Sequence, residues 1–132
     1  MKITADTNVL VRAMTGDDER QAQVAQKELA RAEMVALTLP ALCELAWVLS
    51  RGYKISAGEI AEGMRRLVNA TNVAVNRPAA EAGLALLDAG GDFADGVIAF
   101  EGGGLSAETF VSFDKEAVRL LEARGESARL LS

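Results

Sequence analysis

Five short strand-like runs, separated by helix-like stretches, constrain this chain more than any other feature. The runs are "MKITA", "MVALTL", "NVAVN", "ETFVSF" and "ARLLS". Between them lie "DTNVLVRAM", a polar segment over 19–33, "ALCELAWVLSR" behind Pro40, "SAGEIAEGMRRLVNA", "RPAAEAGLALLDA", a short stretch over 92–101, and "DKEAVRLLEAR". Consecutive strands joined through helices pair in parallel, so the alternation predicts an α/β layer fold with a central, mostly parallel sheet and helices on its faces. Local signals punctuate the helices. Pro40 opens one, Ser56 and Glu59 form a capping box, and Gly52, Gly90-Gly91 and Gly125 act as stops. At 132 residues, half of them apolar, the chain reads as one domain over 1–132 with a core that needs no staple. No apolar run reaches the ~18 residues of a membrane span, and "MKITADTN" turns polar too early for a signal peptide. The expected location is therefore the cytoplasm, with no membrane partner. There the single Cys43, inside "LPALCELAWVL", reads as a small buried residue.

The chain contains no histidine. Histidine-based triads, histidine general bases and histidine zinc sites are excluded together, and one cysteine excludes a thiolate zinc site. What remains is carboxylates, hydroxyls, Lys and Arg, or a hard cation held by oxygen. The net charge of −5 counts against a simple nucleic-acid-binding module. It does not count against an enzyme on nucleic acid whose carboxylates carry bound cations.

The acids fall at telling places. Asp6 follows "MKITA" and Asp114 follows "ETFVSF", so each ends a strand-like run and precedes a helix, where ligands of parallel sheets bind. Asp92 and Asp95 open the helix after Gly90-Gly91. All four are also acceptable helix caps or first-turn acids. Glu44 is different, because it sits in the most apolar helix of the chain, beside Leu42, Cys43, Leu45 and Trp47. A carboxylate near the core needs a partner. An ion pair with Arg51 or Arg12 is one solution, and a metal shared with the aspartates is the other. Three or four carboxylates without histidine suit magnesium or manganese, which activate water and polarise a phosphodiester. Arg12, Arg51, Lys54, Arg65 and Arg66 are candidates for guiding an RNA backbone, although each also reads as an ordinary surface charge. The Trp47 and Leu stripe reads as core more readily than as a partner surface.

"ADTNVLVRAM", "LPALCELAWVL", "GDFADGVIA" and "TFVSFDKEA" follow in the order seen in PIN domains. The chain most resembles the VapC-type toxins of bacterial toxin–antitoxin pairs, over nearly its whole length. The resemblance implies a PIN-like three-layer α/β fold and a metal-dependent endoribonuclease, a hydrolase of RNA phosphodiester bonds. It also implies that Asp6, Glu44, Asp95 and Asp114 are catalytic ligands of one or two magnesium or manganese ions. Asn8, Asp92 and Ser112 take supporting roles; many relatives carry Thr where this chain has Ser112, and the hydroxyl remains. Implied partners are the RNA substrate, a small VapB-like antitoxin that blocks the acidic site, and a second copy in a homodimer. Two alternatives stay open at this point: a nuclease of RNA maturation without toxicity, and a catalytically silent PIN-like module for metal binding or protein interaction.

Overall fold

The computed structural model describes residues 1–132, which divide into two compact units, Met1–Arg77 and Pro78–Ser132. In the first, β1 (Lys2–Thr4) leads into α1 (Thr7–Thr15) and α2 (Glu19–Arg31), and β2 (Met34–Leu37) into α3 (Leu39–Trp47). A π-helical turn, Val48–Gly52, extends α3; α4 (Ala57–Val68) and β3 (Val73–Val75) complete the unit. The strands lie in the order β1-β2-β3, all parallel, with Ile3 opposite Val35 and Ala36 opposite Ala74. Being central, β2 buries Val35 and Leu37 and leaves no residue fully exposed.

Local chemistry sets the boundaries. Thr38 caps α3, its hydroxyl accepting from the Ala41 amide at 3.3 Å, so the helix begins one residue before Pro40. At the start of α4, the Ser56 hydroxyl accepts from the Glu59 amide at 3.3 Å and donates to the Glu59 carboxylate at 3.0 Å, tying the first turn together. Asp18 caps α2 through the Gln21 amide.

Its neighbour Asp17 serves as a hub. It accepts from Arg12 Nη1 at 3.0 and 3.1 Å, from the Thr15 hydroxyl at 2.9 Å and from the Tyr53 hydroxyl at 2.8 Å. The hub ties the α1–α2 turn to the residue just after the π-helical turn. The Tyr53 hydroxyl, then that of Thr15, then the Arg12 guanidinium hold the Asp17 carboxyl well below its ordinary 3.8, at about 2. A depressed native pKa stabilises the fold above the unfolded value and loses that contribution as pH falls from ~4 toward ~2. In Asp17→Asn, the melting temperature is therefore expected to fall less steeply across that window than in wild type, as thermal unfolding followed by circular dichroism would register.

The second unit contains α5, which begins at the boundary (Arg77–Asp88), α6 (Phe93–Gly104), β4 (Phe110–Ser112), α7 (Lys115–Ala123) and β5 (Ala128–Leu130). β4 and β5 pair in parallel, with Phe110 opposite Ala128. Leu86, Leu120 and Leu121 form one buried cluster in it, and Ala99, Phe110 and Ala128 pack against them. α5 and α6 approach to backbone contact. A Cβ added at Gly96 would lie 2.4 Å from the Ala82 carbonyl oxygen, and one at Gly83 would lie 2.6–2.8 Å from the Phe93 ring. The small residues therefore fix where α6 begins, and with it Asp95.

Five strands and the helices between them thus arise where the alternation predicts, and every strand pairing is parallel. No helix is long and apolar enough to cross a membrane.

Candidate active site

In the first unit, Asp6 takes the N-cap position of α1 with extended backbone angles, yet its side chain makes no capping bond. The cap reading therefore does not account for this carboxylate. Asp6 is exposed, as is Asn8 two residues on, while Thr7 between them is buried.

Glu44 overturns the argument made for it from sequence. It is exposed, so no burial penalty demands a partner. The buried stripe of α3 is Ala41, Leu42, Leu45 and Ala46, narrower than the apolar run in the sequence. Glu44 lies off that stripe, together with Trp47, which is 57% exposed, so the tryptophan is not core. The alternative ion pair with Arg51 or Arg12 does not form either: Arg12 is bound to Asp17, and Arg51 makes no salt bridge with Glu44. Cys43, expected to be buried, is only partly so.

In the second unit, Asp95 lies in the fields of two other expected acids, Asp92 and Asp114. Asp92 caps α6, its Oδ1 accepting from the Ala94 amide at 3.2 Å. Asp95 stands in the first turn of the same helix, partly buried. Asp114 caps α7, its Oδ1 accepting from the amides of Glu116 at 2.9 Å and Ala117 at 3.1 Å. The Ser112 hydroxyl accepts from the Asp114 amide at 2.9 Å, which sets the backbone that carries the carboxylate. The carboxyl of Asp95 is pushed above its ordinary range, first by burial and then by the negative charges of Asp92 and Asp114. No basic side chain contributes an opposing pull on it.

This is the fit of the residues to a metal. A partly buried carboxylate, raised by two like charges and relieved by no guanidinium or ammonium, suits a hard divalent cation with oxygen ligands. The structure presents no group of three or more acidic side chains already at metal-holding separations. The second unit places Asp95 in the fields of Asp92 and Asp114, while Asp6 and Glu44 belong to the first unit.

Two features escape a reading of the sequence alone. One is the Asp17 hub, whose Tyr53 member lies 36 residues away along the chain. The other is a cleft between α1 and α2, whose lining residues are spread over 3–28. A family model for the PIN domain matches residues 3–122. No curated protein matches the chain.

Proposed function

The chain belongs to the PIN domain family, a family of nucleases that generally depend on divalent metal ions, and on that premise we propose that it is a magnesium- or manganese-dependent endoribonuclease, the toxin of a VapBC-type toxin–antitoxin pair. The family carries the α/β fold with parallel strands that the alternation predicts. The matched span crosses both units, which supports reading 1–132 as one PIN domain.

The observation that carries the proposal is the state of Asp95: partly buried, crowded by Asp92 and Asp114, and without a basic partner. We assign Asp6, Glu44, Asp95 and Asp114 as the ligands of one or two cations. A bound divalent ion supplies Lewis acidity toward a phosphodiester and lowers the pKa of its water, which a chain without histidine has no other evident means to do. The chain's own residues do the placing. Asp92 and Asp114 spend an oxygen each on helix amides, and that bond restricts their rotamers. Ser112 holds the turn that leads into Asp114. Asp6, free of any capping bond, keeps both oxygens available. Asn8 supports the same end of α1. The implied antitoxin covers this acidic site with a basic side chain, and the protein pairs with a second copy.

Asn caps a helix as well as Asp does. Asp114→Asn therefore keeps the α7 cap while it removes the charge, and so separates a capping role from a ligand role. Isothermal calorimetry with manganese chloride is expected to show binding to wild type and much weaker binding to Asp114→Asn of unchanged melting temperature. Equal binding by both removes Asp114 from the ligand set. Induced expression in bacteria tests the toxin assignment. Wild type should arrest growth and Asp95→Asn should not, whereas normal growth with abundant folded wild type refutes it.

A further inference from the structure

The first unit contains a cleft of about 690 Å³ between α1 and α2, alongside the carboxyl end of β1, where Thr4 and Ala5 form part of its wall. Its volume falls in the ~300–1,000 Å³ range of small-ligand pockets. Its apolar lining includes Val9 from α1 and Val24 from α2; Val24 is 58% exposed. Its polar lining includes Asn8, Gln21, Arg12 and Arg20. Glu28 is the one acid in the lining; Arg12 is paired with Asp17 outside it, and Arg20 makes no ion pair.

One polar group is held and all of them have donors to spare. Arg12 spends only Nη1 on Asp17, and Asp17 is itself fixed by Thr15 and Tyr53. Its Nε and Nη2 carry no hydrogen bond, so the guanidinium is anchored with donors to spare. The side chains of Asn8, Arg20 and Gln21 carry none either. Side-chain amides read the edges of nucleobases, apolar side chains cover their faces, and anchored guanidiniums hold phosphate.

We propose that this cleft is a nucleotide subsite, which takes one unstacked base of a single-stranded RNA. The base lies over Val9 and Val24 with its edge toward Asn8 and Gln21, and the adjoining phosphate rests on Arg12 and Arg20. The inference rests on the ribonuclease reading, since Thr4 and Ala5 of the wall lead directly into Asp6 and place the bound nucleotide beside that end of the site. It assigns base selection to the α1–α2 cleft and leaves the chemistry to the carboxylates.

The test uses the full chain in chelator, so that neither metal nor turnover enters. Backbone-amide NMR follows titration with the four ribonucleoside 5′-monophosphates and with a short single-stranded oligoribonucleotide. Shifts are expected at Asn8, Arg12, Gln21 and Val24. Arg20→Glu should raise the Kd for the oligonucleotide by about tenfold, the loss of one charge-assisted phosphate contact. Gln21→Ala should alter the ranking of the four bases while retaining affinity for phosphate. Arg20 and the Gln21 side chain are exposed and unbonded, so neither change threatens folding. Shifts confined to other residues, or an Arg20→Glu protein that binds as wild type does, overturn the subsite. So does a cleft that ignores nucleotides and responds only to a partner polypeptide. Cleavage is scored separately in magnesium or manganese, so an active enzyme with a silent cleft refutes this inference alone, and a cleft that binds in an inactive protein refutes the ribonuclease reading alone.

Discussion

Asp95→Asn is expected to abolish RNA cleavage, by at least about a hundredfold, and at the same time to raise the melting temperature of the cation-free protein at neutral pH. The two effects have one cause. Burial, then Asp92 and Asp114, raise the Asp95 carboxyl above its ordinary 3.8, so the folded protein holds that proton more tightly than the unfolded chain does. Such a group contributes stability below its unfolded pKa and loses it as pH rises through the native one, so at neutral pH an ionised Asp95 opposes folding. Asparagine removes the opposed charge and keeps the shape. It also removes a metal ligand, and even the outer-shell partners of a metal are worth 10–100-fold, so about a hundredfold is a floor. Differential scanning calorimetry in chelator, beside a cleavage assay in manganese, reads both arms. A variant that is inactive but less stable than wild type at neutral pH would show that Asp95 is structural and not a strained ligand. Strain of this kind at a site is the usual cost of poising charge for function.

The second large effect concerns Phe93, the first residue of α6, directly after its cap Asp92. Its side chain is 1% exposed, and its ring lies directly against Gly83. Phe93→Ala is expected to cost about 3–5 kcal/mol, because the ring leaves a cavity that a glycine has no side chain to fill. That is a large share of the ~5–15 kcal/mol that keeps an ordinary domain folded. Gly83 gives the effect a signature. In wild type, a Cβ there meets the ring at 2.6 Å, so Gly83→Ala should destabilise through overpacking. In the Phe93→Ala background that obstacle is gone, and alanine gains up to about 1 kcal/mol of helix propensity over glycine. Gly83→Ala is thus expected to change sign between the two backgrounds, which denaturant unfolding of all four proteins would reveal. Additive losses would mean that the ring and the glycine do not share one space.

Much of this was legible in the sequence because it depends on local pattern. The strands, the helices between them, the helix starts at Ser56 and near Pro40, and the glycine stops at 90 and 125 are written in residues a few positions apart. The acids at strand ends were legible for the same reason. The sorting of their duties was not, because a cap and a ligand call for the same residue type. Only geometry distinguishes Asp92 and Asp114, which bond helix amides, from Asp6, which does not. Glu44 shows where pattern misleads. Its helix is apolar almost all round, so composition implied burial, but the face actually covered is narrow, and Glu44 and Trp47 both fall outside it. Arg12 shows the limit of listing charges. Its partner is Asp17, set by the turn between two helices, and neither Glu44 nor a free role along RNA could be separated from that pairing by spacing alone.

The central claim is that carboxylates of this chain, acting with a divalent cation, cleave RNA. Its most direct test is incubation of total cellular RNA with purified wild-type and Asp6→Asn protein, each in magnesium, in manganese and in chelator. The account predicts discrete products from wild type with added metal, none in chelator and none from Asp6→Asn in any condition. Cleavage that persists in chelator or in Asp6→Asn, or no cleavage by folded wild type free of antitoxin, would contradict it.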